Sequence, residues 1–300
     1  MRAVVTGAGG FVGRWLVRHL EEAGDQVVAF DRDLDVTDGG ALRQVLADLA
    51  PEAVYHLAAQ SHVGRSWEEP VEVLRVNCLG TASVLDACRR LASPPRVLVV
   101  SSGEVYGAVP AERQPIGEDE PLRPLTPYAA SKAAAEAVAL QAHRGYGLPV
   151  VVARPFNHVG PGQSTAFVVP ALAARIVAAR ARGERTVAVG NLEARRDMTD
   201  VRDVVRAYRL LVRRGEPGAV YNVCRGEART VAEVAKRLVA LAGADVVLEV
   251  DPALVRPVEV PALVGDPSRL VAATGWQPRY ELDETLQAVL AEATAEAPAP

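Results

Sequence analysis

Tyr128 and Lys132 are the residues whose types and spacing most directly suggest chemistry. They stand four positions apart in YAASK, in a run of helix formers from Ala129 to Gln141. Positions i and i+4 share a helix face, so the phenol and the ammonium point the same way. A free phenol has a pKa of about 10, and a nearby ammonium favours the phenolate. Such a pair can pass a proton to or from a carbonyl or an alcohol. The choice of lysine adds to this. Of 33 Lys and Arg residues only Lys132 and Lys236 are lysine, which leaves 31 arginines. In a chain that uses arginine almost everywhere, a compact ammonium with three rotatable donors stands here. The spacing alone is weak evidence, so the elements around it decide.

The N-terminal stretch supplies a second site. Arg2 to Thr6 reads as a buried strand, then come Gly7, Gly10, Phe11, Val12 and Gly13 in a GxxGxxG loop, then an amphipathic helix to about Glu22. Strand, glycine loop and helix are what a dinucleotide pyrophosphate needs: a tight turn, close backbone approach and a helix N-terminus. The next strand, Gln26 to Phe30, ends in Asp31, eighteen residues past Gly13. An acid there suits the ribose 2′-hydroxyl of NAD, whereas Arg32 beside it suits the 2′-phosphate of NADP. Asp33 to Asp38 reads as a short third strand whose Asp35 and Val36 reach the adenine. A helix is expected over about Gly40 to Leu49. Ala53 to Ala59 reads as a buried strand whose small end, Leu57, Ala58 and Ala59, leaves room for a ligand.

Further elements follow in alternation. Val71 to Leu91 reads as one long helix carrying Asn77, and Arg96 to Val100 as a strand ending in Ser101, Ser102, Gly103 and Glu104. After the Tyr128 helix comes the strand Pro149 to Ala153. This alternation predicts an α/β fold with a doubly wound parallel sheet (Rossmann) and a second, smaller α/β substrate domain. Residues 1–155 plus about 192–224 would bind the dinucleotide, and about 156–191 plus 225–292 the substrate. Helices are expected at Phe167 to Arg182, Asp200 to Arg213, Thr230 to Ala242 and Asp283 to Glu292, with short strands at Thr186 to Val189, Ala219 to Val223 and Val246 to Val250. Gly160 to Gly162 reads as loop, and the tail Ala293 to Pro300 as disordered. Asparagine occurs only at 77, 157, 191 and 222, each beside an element boundary. For Asn222 a structural role is the better reading.

Composition excludes several classes. A net charge of −4 gives no bias towards nucleic acid or membrane. No apolar run reaches the roughly 18 residues of a membrane span, and the N-terminus has no signal-peptide regions. Cys78, Cys88 and Cys224, and the five histidines, have no metal spacing; buried reduced thiols in a cytoplasmic protein are expected.

Together these stretches resemble the extended short-chain dehydrogenase/reductases acting on nucleotide sugars. The matching residues are TGAGGFVG (6–13), HLAA (56–59), Asn77, SSGEVYG (101–107), YAASK (128–132) and RPFN (154–157). NHVGPGQ (157–163), GNLEARRDMTDVRDVV (190–205) and RPVEVPALVGD (256–266) are most similar to the GDP-sugar branch, in particular to reductases of GDP-4-dehydro-6-deoxy-D-mannose, which form GDP-D-rhamnose. The resemblance implies NAD(H) or NADP(H) as cofactor, held at the residues given above together with Asn77, Tyr128 and Lys132. It implies that Tyr128 is the acid/base, that Lys132 lowers its pKa and holds the ribose, and that Ser102 binds the sugar C4 oxygen. Asn77 would stiffen the active-site helix or its proton relay. A GDP-sugar would meet Asn157, Val168, Arg175, Arg196, Arg256 and Glu259. The resemblance also implies a homodimer paired through the Val71 to Leu91 and Tyr128 to Arg144 helices.

Glu104 leaves the chemistry open. In GDP-mannose 4,6-dehydratases a Glu at this spacing performs the elimination, but similar reductases carry one too. Those dehydratases have a basic segment after their Asn-His pair, where this chain has GPGQSTAFVVPALAARI, and their glycine loop differs. Reduction is therefore the expected reaction. The alternatives are 4,6-dehydration, C4 epimerisation of a UDP-sugar, or a non-catalytic dinucleotide-binding regulator.

Overall fold

The computed structural model describes residues 1–254 and 260–296. In chain order its first half contains β1 (Arg2–Thr6), α1 (Phe11–Glu22), β2 (Gln26–Phe30), α2 (Gly39–Leu49), β3 (Ala53–His56), α3 (Val63–Glu68), α4 (Pro70–Leu74), α5 (Gly80–Arg89), β4 (Arg96–Val100), α6 (Pro127–Tyr146) and β5 (Val150–Pro155). The second half contains β6 (Asn157–Val159), α7 (Val168–Arg182), β7 (Thr186–Val189), β8 (Arg195–Asp200), α8 (Val201–Arg214), β9 (Val220–Val223), β10 (Ala228–Thr230), α9 (Val231–Ala242), β11 (Val247–Val250), β12 (Ala262–Leu263), α10 (Ser268–Thr274) and α11 (Leu282–Glu296).

Six parallel strands form the main sheet in the order β2-β1-β3-β4-β5-β9. Successive strand residues point to opposite faces, so runs of valine supply both. Val5, Tyr55, Leu98 and Val151 pack with α1, α8 and α10 on one face. Val4, Val54, Val97, Val99 and Val152 pack with α2, α5 and α6 on the other. The strand order reverses between β1 and β3, which opens a crevice at their carboxyl ends, the position for a ligand in such sheets.

The smaller part joins β6, β8, β10 and β12 in a second sheet, and β7 with β11 in a third. α7, α9 and α11 enclose its core around Ile176, Val234 and Leu286. Sequence grouped 192–224 with the dinucleotide-binding part, but β8 lies in the second sheet, while α8 and β9 join the first. The chain crosses between the two at Asp200, whose carboxylate caps α8 and accepts a 2.6 Å hydrogen bond from Thr285 of α11.

Three further expectations need correction. Asp33 to Asp38 is no strand: the Asp35 carboxylate accepts from the Thr37 amide and hydroxyl at 2.8 Å each, and Asp38 caps α2. These side chains satisfy the backbone in place of a ladder. The long helix at Val71 is broken by a π-helical turn, Arg75–Leu79, between α4 and α5. The C-terminal helix continues through Glu296, because Ala293 packs on the small core and Thr294 Oγ1 donates to Leu290 O at 2.8 Å. Arg256, Glu259 and residues 297–300 lie outside the described residues. Among those described, no helix is long and apolar enough to cross a membrane, and no cluster of His, Cys, Asp and Glu is arranged to hold a metal ion.

Candidate active site

The glycine loop is shaped by close contacts. Gly7 has φ +71°, and a Cβ on it would stand 2.7 Å from the Ala58 amide. A Cβ on Gly13 would lie 2.2 Å from the Gly7 carbonyl, so only glycine lets α1 approach its own loop this closely. A Cβ on Gly9 would meet Asp31 Oδ2 at 2.5 Å, which puts the carboxylate at the end of β2 directly against the loop. Above these residues opens a cavity of about 1220 Å³. It is larger than the roughly 300–1,000 Å³ of ordinary ligand pockets and has room for two ligands side by side.

Every described residue read from the sequence as catalytic, cofactor-binding or substrate-binding lines this cavity, with the exception of Asn77. The glycine loop, Asp31, Arg32 and Asp35 form one end. Ser102, Glu104, Tyr128 and Lys132 form the middle. Asn157, Val168, Arg175 and Arg196 form the wall contributed by the smaller part. On that wall Arg175 donates to Ala188 O at 3.0 Å, and Arg196 Nη1 to Arg195 O at 2.9 Å. His158 and Phe167 also line it, unforeseen from the sequence. His158 stacks on Phe11 of the glycine loop at 6.0 Å between ring centroids, and Phe167 meets His62 edge-on at 6.5 Å.

Thr126 caps α6 by accepting from the Ala129 amide at 3.0 Å, with Pro127 at the first helical position. This brings Tyr128 and Lys132 under the cavity floor, 9% and 6% exposed. Burial pushes the Tyr128 phenol above its ordinary range; a hydrogen bond with Ser102 pulls it back, and the Glu104 charge raises it again. The sequence led to the expectation that Lys132 lowers this pKa. Instead the ammonium donates to Val100 O at 2.8 Å, and the low-polarity surroundings set the phenol's direction, upward. The phenol is thereby kept protonated, as a proton donor must be. Burial also lowers Lys132 to about 8, against the opposing pull of Glu136.

Asn77 works from behind the cavity. Its Nδ2 donates to Ser131 Oγ at 2.8 Å and Gln60 O at 3.1 Å, and its Oδ1 accepts from the Gln60 amide at 2.8 Å. Ser131 Oγ in turn donates to Tyr128 O at 2.7 Å. The π turn therefore places an amide across the strand-end loop and α6 together, a use typical of such turns.

His56 belongs to the same system, although sequence gave it no role. Thr81 donates to Asn77 O at 2.6 Å, so its hydroxyl oxygen accepts from His56 Nε2–H at 3.0 Å. His56 Nδ1 then accepts from Thr6 at 2.8 Å, and Thr6 accepts from the Ala58 amide at 3.3 Å. The chain has one direction throughout and needs a neutral imidazole. Burial, aided by the Lys132 charge, lowers His56 to about 3. Asn222 is structural, as expected: it accepts from Tyr106 at 2.7 Å and donates to Ile116 O at 2.8 Å.

The sequence profile of GDP-mannose 4,6 dehydratases matches residues 32–289. The chain belongs to this family. It is 38% identical to a GDP-6-deoxy-D-mannose reductase of Pseudomonas aeruginosa over 97% of this chain and 96% of that one. A GDP-mannose 4,6-dehydratase of Vibrio cholerae is 30% identical, with 86% of this chain and 76% of that one covered. Among solved structures, RMD from Pseudomonas aeruginosa complexed with NADPH superposes with a TM-score of 0.91 at 36% identity, covering 99% of this chain and 98% of that one. The GDP-mannose 4,6 dehydratase family is a branch of the extended short-chain dehydrogenase/reductases, so the fold and the broad chemistry follow.

The residues of this family member fit a nicotinamide dinucleotide. The glycine loop leaves a backbone cradle that any Cβ at Gly7 or Gly13 would fill. Tyr208 of α8 lines the cavity floor with a buried hydroxyl that has no hydrogen-bond partner among the described residues, so a bound group can supply one. Gly7 to Gly13 would hold the pyrophosphate, Asp31 and Arg32 the adenosine ribose, and Tyr128 and Lys132 the nicotinamide ribose.

Proposed function

We propose that this protein reduces the C4 keto group of GDP-4-dehydro-6-deoxy-D-mannose to give GDP-D-rhamnose, with NADH or NADPH. One observation carries the reading. A buried phenol with a raised pKa, hydrogen-bonded to a serine, faces a cavity wide enough for a dinucleotide and a nucleotide sugar. Its likeness to a GDP-6-deoxy-D-mannose reductase over nearly the whole chain supports the choice of substrate.

In this reading Ser102 donates to the C4 carbonyl oxygen and fixes it beside Tyr128. A nicotinamide held there would supply the hydride for C4. Tyr128 gives its proton to the oxygen as negative charge develops there. The phenolate left behind regains its proton from solvent, and the Lys132 ammonium, seated on Val100 O, is available to the ribose of the dinucleotide. Arg196 and Arg175 offer guanidinium groups for the diphosphate, and a planar fork suits that group. The enzyme works in the cytoplasm as a homodimer, through the exposed apolar residues of α4 and the π turn.

A second reading has its own observation. The Glu104 charge acts on the Tyr128 phenol, so a carboxylate is available for the elimination of a 4,6-dehydratase. Mass spectrometry of products separates the two. With the 4-keto-6-deoxy sugar nucleotide and NADPH, a gain of two mass units is expected. Loss of water from GDP-mannose, with no reduction of the keto compound, would make the second reading the right one.

A further inference from the structure

Three residues spaced by four along one face of α6 meet three consecutive residues at the end of β4. Tyr128 pairs with Ser102, Lys132 donates to Val100 O at 2.8 Å, and Glu136 accepts from the Ser101 hydroxyl. The last contact has had no role so far. Glu136 is 1% exposed, Ser101 2% and Arg154 5%.

The Glu136 carboxylate is itself held from β5. Arg154 Nε donates to Oε1 at 2.9 Å and Nη2 to Oε2 at 2.7 Å, a forked pair that fixes the plane of the carboxylate. The remaining nitrogen, Nη1, donates to Tyr106 Oη at 2.8 Å and to Glu118 O at 3.0 Å. The guanidinium lies over the Tyr106 ring at 4.9 Å. Every group in the cluster is satisfied, and the cluster joins the loop after β4, α6 and β5 directly beneath the site. A buried ion pair adds little net stability, since desolvating both charges offsets most of their attraction. Apolar residues of the same volume often serve folding as well in such a place, so its geometry calls for a reason beyond folding.

We propose that Glu136 is a positioning residue for the reduction: aligned by Arg154, its carboxylate clamps the Ser101 hydroxyl and thereby sets Ser102 against the Tyr128 phenol. This rests on the reductase reading of Tyr128 and Ser102. Among the described residues Ser101 is otherwise tied through its amide, which donates to Ala153 O at 2.7 Å. One peptide unit further on, the Ser102 hydroxyl is held by the Tyr128 phenol and by a 3.2 Å contact from the Glu104 amide. Misplacing a reacting group by about 1 Å can lower a rate by roughly a hundredfold.

The same carboxylate is a negative charge that acts on Lys132 and opposes the effect of burial on the ammonium. The other groups acting on Lys132 are the Val100 carbonyl from β4 and the neutral His56 from β3, with Tyr128 one turn before it on its own helix. Arg154 pairs with Glu136 at 2.7 Å. Removing the Glu136 charge therefore makes Lys132 lose its proton at lower pH.

Ser101→Ala tests the clamp without disturbing the ion pair. We expect kcat for the 4-keto sugar to fall about tenfold, with the KM for NADPH within twofold. Glu136→Gln should in addition move the alkaline limb of the kcat/KM profile down by about one pH unit, which a purely structural role would not do. If Arg154 without its counter-charge prevents folding, Glu136→Gln combined with Arg154→Met removes both charges, and the same direction of shift is expected. A Ser101→Ala enzyme with kcat within twofold of the parent, or an unmoved alkaline limb in the folded Glu136 variant, overturns the proposal. Ser102→Ala, measured alongside, separates two failures. If Ser102→Ala loses rate and Ser101→Ala does not, only the clamp is refuted. If Ser102→Ala loses none, the reductase reading falls with it.

Discussion

The Lys132 ammonium donates to the Val100 carbonyl at 2.8 Å, although the phenol of Tyr128 lies one helical turn before it. The lysine is thus seated on the strand end that carries Ser101 and Ser102, poised beneath the cavity. Its pKa, lowered by burial to about 8, means that the folded enzyme holds the ammonium below pH 8 and loses it above. We expect kcat/KM to decline above about pH 8. His56, lowered to about 3, stays neutral from pH 5 upward and contributes no acid limb near 6.5. A pH–rate profile flat to pH 10 would mean that the ammonium is not needed. Lys132→Arg should fail despite the retained charge, since a planar fork cannot take the place of the compact group. Lys132→Ala should damage both rate and cofactor affinity.

Tyr128→Phe removes one hydroxyl and keeps the ring that fills the space. It should lower kcat for the 4-keto sugar by roughly 10²–10⁴-fold, the range for a positioned acid. Dinucleotide affinity, measured by fluorescence titration, should change little, because the phenol meets the reacting oxygen. Near-full activity in this variant would put the site elsewhere.

The parts of this molecule that sequence revealed share a physical cause. Strands buried on both faces need runs such as VVV and VLVV, and those runs stand out. The glycine loop stands out because no other residue can occupy Gly7 or Gly13. The strands β6, β8, β10 and β12 were not expected, since they have two to six residues and sequences such as RRDMTD. The π turn at Asn77 is invisible because its residues suit an α-helix equally well. Spacing also misled where solvation decides: Tyr128 and Lys132 do share a helix face, but burial rather than the ammonium sets the phenol's pKa. Glu136 stands four residues past Lys132, a signal present in the sequence that gains meaning only once Ser101 and Arg154 are seen to converge on it.

Cofactor choice turns on Asp31. Its carboxylate lies against Gly9, at the end of the cavity where the adenosine ribose would sit, with Arg32 next to it. Both NADH and NADPH should bind, with Asp31 favouring NADH. Asp31→Ala removes an acceptor for the 2′-hydroxyl and a charge that repels the 2′-phosphate. A charged hydrogen bond is worth about 1.5–3 kcal/mol, so the NADPH/NADH ratio of kcat/KM should rise about tenfold or more. An unchanged ratio would remove Asp31 from the ribose.

Self-association follows from the surface of the segment that carries Asn77. Val71 is 78% exposed, Leu79 58% and Leu74 42%, an unusual density of aliphatic surface beside α6. Light scattering at micromolar concentration should give twice the chain mass of 31.8 kDa. Val71→Glu should shift the mass towards the monomer and leave the circular dichroism unchanged. A monomeric parent protein would rule out the interface.

Glu104 separates the two reactions that the site could support. It follows Ser102 by two residues, in the short 3₁₀ turn Gly103–Tyr106 that Ser102 caps, and it lines the cavity. Its negative charge raises the pKa of the Tyr128 phenol, so it helps to keep the proton that reduction consumes. Glu104→Gln keeps the shape and removes that charge. For a reductase the result is a modest change: the phenol still carries its proton at neutral pH, because burial is the larger influence, and kcat should stay within about tenfold, far from the roughly 10²–10⁴-fold loss expected of an acid/base group. For a dehydratase the carboxylate would itself move the proton during elimination, and turnover of GDP-mannose to a keto product would stop. The variant should therefore be assayed with both sugars. Retained reduction of the 4-keto compound, with no dehydration of GDP-mannose by parent or variant, is the expected result. Abolished dehydration in the variant, starting from an active parent, would make Glu104 the catalytic base and elimination the reaction of this site.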